Sequence, residues 1–161
     1  MNNLVRVGMA DYKICRPPQY LSTLGLGSCM GIVLYDPVSK WCGMAHVMLP
    51  DSKKINHNNN RMKFADTCLA DMLEELVKKG ANRAKLVAKI AGGARMFAYT
   101  SFNEHLNIGE NNIEATRRFL SEHKIPIAAE DVGEFHGRTV EFYPEDGSFH
   151  IKTVGQGISI M

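Results

Sequence analysis

Thr23–Pro50, TLGLGSCMGIVLYDPVSKWCGMAHVMLP, decides how the rest of the chain is read. Two apolar segments, Leu26–Tyr35 and Trp41–Leu49, flank the turn-forming residues Asp36-Pro37-Val38-Ser39. Pro37 presets φ for the first central position of a turn. The stretch therefore reads as an antiparallel hairpin with Pro37 and Val38 at its tip. Counting outward from that tip sets Cys29 directly opposite His46, with their Cβ atoms about 4.5–5.5 Å apart on one face. A longer loop shifts the register, and a slip of one residue sends a side chain to the other face. Gly25, Gly27 and Gly31 also allow the chain to bend near Cys29.

The whole chain sets the frame for this hairpin. Its 161 residues suit one domain over 1–161, long enough to bury roughly two thirds of the surface of the unfolded chain. A content of 45% hydrophobic and 22% charged residues is that of a soluble globular protein. The net charge of +2 is not drawn into a Lys/Arg stripe interleaved with aromatics, which argues against nucleic acid as a partner. The apolar runs are too short and too broken by glycine for insertion into a membrane. The N-terminal MNNLVRVGMADYKICR lacks the basic-then-apolar pattern of a signal peptide, so the expected location is the cytoplasm. There Cys15, Cys29, Cys42 and Cys68 stay reduced. The polar stretch Asp51–Arg61, DSKKINHNNNR, reads as a loop within the domain.

Leu4–Met9 reads as a first strand, continued by Tyr12–Cys15, and Arg16-Pro17-Pro18 interrupts regular structure. From about Met62 to Lys79 the period becomes helical: Phe64, Cys68, Met72 or Leu73, and Leu76 form one apolar stripe. Lys78 and Lys79 suit the C-terminal end of that helix dipole, and Gly80 suits the position after it. Lys85–Ala91 reads as a buried strand and about Glu110–His123 as a second helix with Ile113, Thr116 or Arg117, and Leu120 on one face. Ile125–Asp131, Arg138–Tyr143 and Ser148–Val154 read as strands, the last two joined by a turn at Pro144-Glu145-Asp146-Gly147. The class is α+β, with mixed but largely antiparallel sheet layers and flanking helices.

A free thiol with a pKa of about 8.5 is a weak nucleophile at neutral pH until something takes its proton. An imidazole beside it can do so, holding the thiolate as an ion pair and later protonating a leaving amine. A third group then fixes the imidazole's tautomer. Thr23, through its hydroxyl, and Asp36 and Asp51, by charge, are the candidates. Backbone N–H groups of the Gly25–Gly31 run are candidate oxyanion donors. The plainer reading is that a buried Cys packs as a small hydrophobe, and it applies to Cys15, Cys42 and Cys68. Zinc held by Cys29, Cys42 and His46 is a further reading, but the tight ligand spacings of zinc sites are missing, and His57 in its Asn-rich loop suits solvent better. Gly92-Gly93 and Gly25-Leu26-Gly27 complete no phosphate-binding fingerprint and read as tight turns. His105, His123, His136 and His150 stand in polar contexts and read as surface residues, whereas Phe97, Tyr99 and Phe102 read as core.

Thr23-Leu24-Gly25-Leu26-Gly27-Ser28-Cys29 together with Gly43-Met44-Ala45-His46-Val47-Met48-Leu49-Pro50 closely resembles the CheD family of bacterial chemotaxis proteins. The resemblance runs on through Ala65-Asp66, Lys89–Ala94, Met96-Phe97, Asn107-Ile108-Gly109, Ala129-Glu130-Asp131 and Val154–Gly157, in order over nearly the whole chain. It implies a fold similar to the catalytic domain of cytotoxic necrotizing factor toxins and an activity as a chemoreceptor glutamine deamidase. It further implies Cys29 as nucleophile, His46 as general base and acid, and Thr23 as the residue that orients His46, with no metal or organic cofactor. The partners it implies are methyl-accepting chemotaxis receptors as substrate and the phosphatase CheC as regulatory binder. Gly92–Phe102 is the candidate CheC face, from its aromatic content and glycine-framed exposure.

Overall fold

The computed structural model describes residues 2–54, 60–95 and 107–161. Ten strands, β1 Leu4–Val7, β2 Asp11–Cys15, β3 Tyr20–Leu26, β4 Met30–Tyr35, β5 Cys42–Val47, β6 Val87–Gly92, β7 Ile127–Val132, β8 Arg138–Tyr143, β9 Ser148–Thr153 and β10 Gly157–Ile160, accompany helices α1 Ala65–Lys79 and α2 Ile108–Glu122. One sheet has the order β1-β3-β8-β9-β10 and the other β2-β5-β4-β6-β7. Pairing is antiparallel except for β1 with β3 and β6 with β7. The class is α+β, as the sequence pattern implies.

Alternation along β4 and β5 sorts their side chains between two cores. Ile32, Leu34, Ala45 and Val47 pack toward the helices, against Cys68, Leu69, Met72 and Leu76 of α1 and Phe119 and Leu120 of α2. Val33, Tyr35, Cys42 and Met44 face the other sheet, meeting Leu21, Val140, Phe142, Phe149 and Ile151. The layers therefore run sheet, sheet, helices. Helix α1 lies directly on the backbone of β5, since a Cβ at Gly43 would come within 2.9 Å of Met72 Sδ. Each large apolar side chain sealed in these layers contributes about 1.5–3 kcal/mol.

The first two segments are two strands in different sheets, and the chain turns between them at Ala10 with φ 54°. The hairpin also differs from the two-residue tip. Asp36 N–H donates to the Trp41 carbonyl at 3.0 Å and Lys40 N–H to the Asp36 carbonyl at 2.8 Å, leaving Pro37–Lys40 as the loop. Lys40 takes φ 70°, the left-handed residue that closes such loops. The longer loop moves the register by two residues, so Gly31 faces His46 and Met30 faces Val47. A shift of two preserves the face, so the sequence-based parity of Cys29 and His46 survives although their direct pairing does not. Leu26 ends β3 in one sheet and Met30 begins β4 in the other, with Cys29 in the bend between them.

Candidate active site

Thr23 reaches the site from β3, where it lies between Val7 of β1 and Val140 of β8. His46 reaches it from β5 in the facing sheet, and both are fully buried. Thr23 Oγ1 lies 2.8 Å from the Val7 carbonyl oxygen and 2.7 Å from His46 Nδ1. A hydroxyl has one proton, and a carbonyl can only accept. Thr23 therefore donates to Val7 and accepts from Nδ1–H. That assignment leaves the lone pair on Nε2, which makes no hydrogen bond among the described residues. A bare Nε2 is the form in which imidazole acts as a base.

Cys29 sits two residues before Gly31, the residue facing His46, and its side chain packs against the inter-sheet core. In a regular ladder this diagonal step spans about 7–8 Å between Cβ atoms. Three of the four cysteines are buried and Cys29 alone is half-buried. Burial pushes the Cys29 thiol up and the His46 imidazole down. Both shifts favour the neutral forms, thiol and imidazole.

The bend carrying Cys29 is held by its carbonyls. Gly27 O accepts from Ala94 N–H at 2.8 Å, Cys29 O from Gly93 N–H at 2.9 Å, and Ser28 O from Asn112 Nδ2 at 2.9 Å. Gly92, at φ 111°, has no room for a side chain, because a Cβ there would strike the Cys29 carbonyl. The Gly92-Gly93 run thus serves close backbone approach, in keeping with a tight turn. Buried Arg138 bonds Asp131 Oδ1 from Nε at 3.1 Å and from its terminal nitrogen at 3.0 Å, and Gly92 O at 3.3 Å. It fastens β8 to the other sheet at the same end.

Asp36 does not orient His46. Its carboxylate caps the hairpin, accepting from Val38 N–H, Ser39 N–H, Ser39 Oγ and, at 2.7 Å, Asn82 N–H. Burial raises its pKa, but these donors outweigh burial and hold it below the usual carboxylate value. Asp51 accepts from Lys53 N–H on the surface. Cys42 shares the His46 face, yet its sulfur lies 3.6 Å from Cys15 Sγ, across the β2–β5 pair. The Cys15 contact and burial raise the Cys42 thiol, and burial, then Asp71 and Asp11, push Cys68 up to about 12. His123 and His150 have partners in Phe119 and in Ser148 and Tyr143 rather than standing alone. His57, His105, Phe97, Tyr99 and Phe102 lie outside the described residues. Asn112 and Arg138 escaped the sequence reading, although Asn112 falls on the same helical stripe as Thr116, Phe119 and Leu120.

The CheD profile, described as CheD chemotactic sensory transduction, matches residues 48–153. A protein of Lachnoclostridium phytofermentans named "Probable chemoreceptor glutamine deamidase CheD" is 54% identical over 97% of both chains. One of Halalkalibacterium halodurans named "Chemoreceptor glutamine deamidase CheD" is 52% identical over 98% of both. Another, of Caldanaerobacter subterraneus, is 51% identical over 98% of this chain and 97% of its own. Among solved structures, the Bacillus licheniformis hypothetical protein YfiH matches with a TM-score of 0.48 at 20% identity, over 75% of this chain and 49% of its own.

Proposed function

The chain belongs to the CheD family, and on that footing we propose that it hydrolyses glutamine side chains of chemoreceptors to glutamate. Cys29 is the nucleophile, His46 the base and acid, and Thr23 the residue that orients His46, within one catalytic unit spanning 1–161. The observation that carries this reading is the polarity of the His46 ring. Its Nδ1 proton is committed to Thr23 and its Nε2 lone pair is free, while Cys29, two residues before the residue that faces His46, is the one thiol that is not fully buried.

His46 Nε2 takes the Sγ proton as Cys29 attacks the carboxamide carbon, and the carbonyl oxygen becomes an oxyanion held by backbone N–H donors of the bend. Nε2 then delivers that proton to the departing nitrogen, ammonia leaves, and a thioester remains. Water gives its proton to Nε2 and attacks the thioester. Collapse releases glutamate and returns the proton to sulfur. Neutral resting partners suit this cycle, because the proton Nε2 needs at the leaving step is the one it has just taken.

The chain works in the cytoplasm with CheC as a regulatory binder; of the expected face Gly92–Phe102, Gly92–Ala94 are buried, against the glycine-framed exposure expected there, and Arg95 is exposed. Among the described residues no helix is long and apolar enough to cross a membrane. The test is mass spectrometry of receptor cytoplasmic fragments incubated with wild type or Cys29→Ala. A gain of about one mass unit per Gln with the wild type alone supports the reading. Conversion with both proteins refutes Cys29 as nucleophile, and conversion with neither moves the function to a docking module that binds CheC or receptors without chemistry.

A further inference from the structure

Asn112 is fully buried in the first turns of α2, and its amide has a fixed sense. Nδ2 lies 2.9 Å from the Ser28 carbonyl oxygen and 3.0 Å from that of Met48. Two acceptors require the NH2 group on that side, which leaves Oδ1 buried with no hydrogen-bond partner among the described residues. A fold that only needed to fill this space would place an apolar side chain here. The amide instead donates two bonds.

Those bonds join the two halves of the site. Met48 follows β5 and stands two residues beyond His46, while Ser28 precedes Cys29. One NH2 group therefore bridges the segment that follows the base-carrying strand and the bend that carries the nucleophile. A trans peptide is planar, with its C=O and N–H pointing in opposite directions. Drawing the Ser28 carbonyl toward α2 thus turns the Cys29 N–H away from the helix. Neither Ser28 N–H nor Cys29 N–H makes a hydrogen bond among the described residues.

We propose that Asn112 is a positioning residue for deamidation, aiming the Cys29 N–H at the oxyanion by anchoring the Ser28 carbonyl. The inference rests on Cys29 being the nucleophile. Its test separates oxyanion stabilisation from thiol reactivity, because iodoacetamide alkylates sulfur by displacing iodide and builds no oxyanion. Wild type, Asn112→Ala and Asn112→Leu are compared for kcat and KM on a receptor fragment, for the alkylation rate of Cys29, and for Tm. Asn112→Leu keeps the branched shape without a charge or a donor and carries the test if Asn112→Ala does not fold.

The expected result is a loss in kcat of about 10- to 100-fold, somewhat less than deletion of an oxyanion donor costs, with KM and the alkylation rate unchanged. An unchanged kcat overturns the proposal. So does an alkylation rate that falls in step with kcat, which would mean that Asn112 places the sulfur or merely the fold. Cys29→Ala, assayed alongside, separates the two failures: if it still deamidates, the nucleophile assignment has failed, whatever Asn112 does.

Discussion

Thr23→Val removes one oxygen and keeps the shape of the side chain. In the native protein that oxygen is, among the described residues, the only acceptor for His46 Nδ1–H, and it is the donor to the Val7 carbonyl. A buried polar group left without its partner costs about 1–3 kcal/mol. For His46 that penalty falls on one tautomer, the one with the proton on Nδ1 and the lone pair on Nε2. At about 1.36 kcal/mol per decade, its weight drops by about 5- to 150-fold relative to the alternative. The base tautomer loses population, so kcat/KM falls, by at most about the same factor. Stability falls by about 2–6 kcal/mol, because Val7 loses its donor as well. Thr23→Ser keeps the hydroxyl and gives up one buried methyl, a loss of about 1 kcal/mol, with activity close to wild type. Ammonia release from a receptor fragment gives the rates, urea unfolding the stabilities, and 15N shifts of the imidazole the tautomer. A valine variant with full activity, or a serine variant as impaired as the valine one, refutes the tautomer argument.

Deamidation should hold its rate down to below pH 6.5, the ordinary imidazole value, since burial lowers the His46 pKa and only the neutral ring is a base; a pH–rate profile checks this. The same shift has the opposite sign for stability. Below pH 6.5 the unfolded chain binds a proton that the folded His46 refuses, so stability declines as pH falls through that value, visible in Tm between pH 7.5 and 5.5 and absent in His46→Phe. Gly92→Ala forces a side chain against the Cys29 carbonyl at a φ of 111°; the expected loss is at least about 2 kcal/mol, with kcat falling even below Tm. Asp36→Ala strips four donors of their acceptor and should cost about 2–4 kcal/mol in urea unfolding while leaving kcat within a few-fold of wild type.

Much of the site is written locally. Cys29 and His46 lie on either side of one hairpin, and their shared parity survives because the loop shifts the register by two residues. The loop itself was not legible, because Pro37 suggests a two-residue tip while closure depends on Lys40 adopting a left-handed φ, which lysine does not advertise. Thr23 is nearby in sequence, yet its route to His46 passes between two sheets, and no local period shows that β3 has left the sheet of β4. Asn111-Asn112 reads as a polar helix face, and only the packing of α2 on the Cys29 bend makes one of the pair a buried anchor. Strand β10 has no buried residue, hence no alternation strong enough to betray it.

The hydrogen bond from His46 to Thr23 crosses from one sheet to the other, and β3 is flanked by β1 on one side and β8 on the other. During translation the proposed site residues emerge early, before residue 50, whereas Arg138–Tyr143 emerges near the end. A ribosome-bound chain that stops short of Arg138 carries the thiol, the imidazole and the hydroxyl but lacks the strand that seats Thr23 opposite His46. Under the proposed assignment, the site is therefore completed only in the last quarter of synthesis.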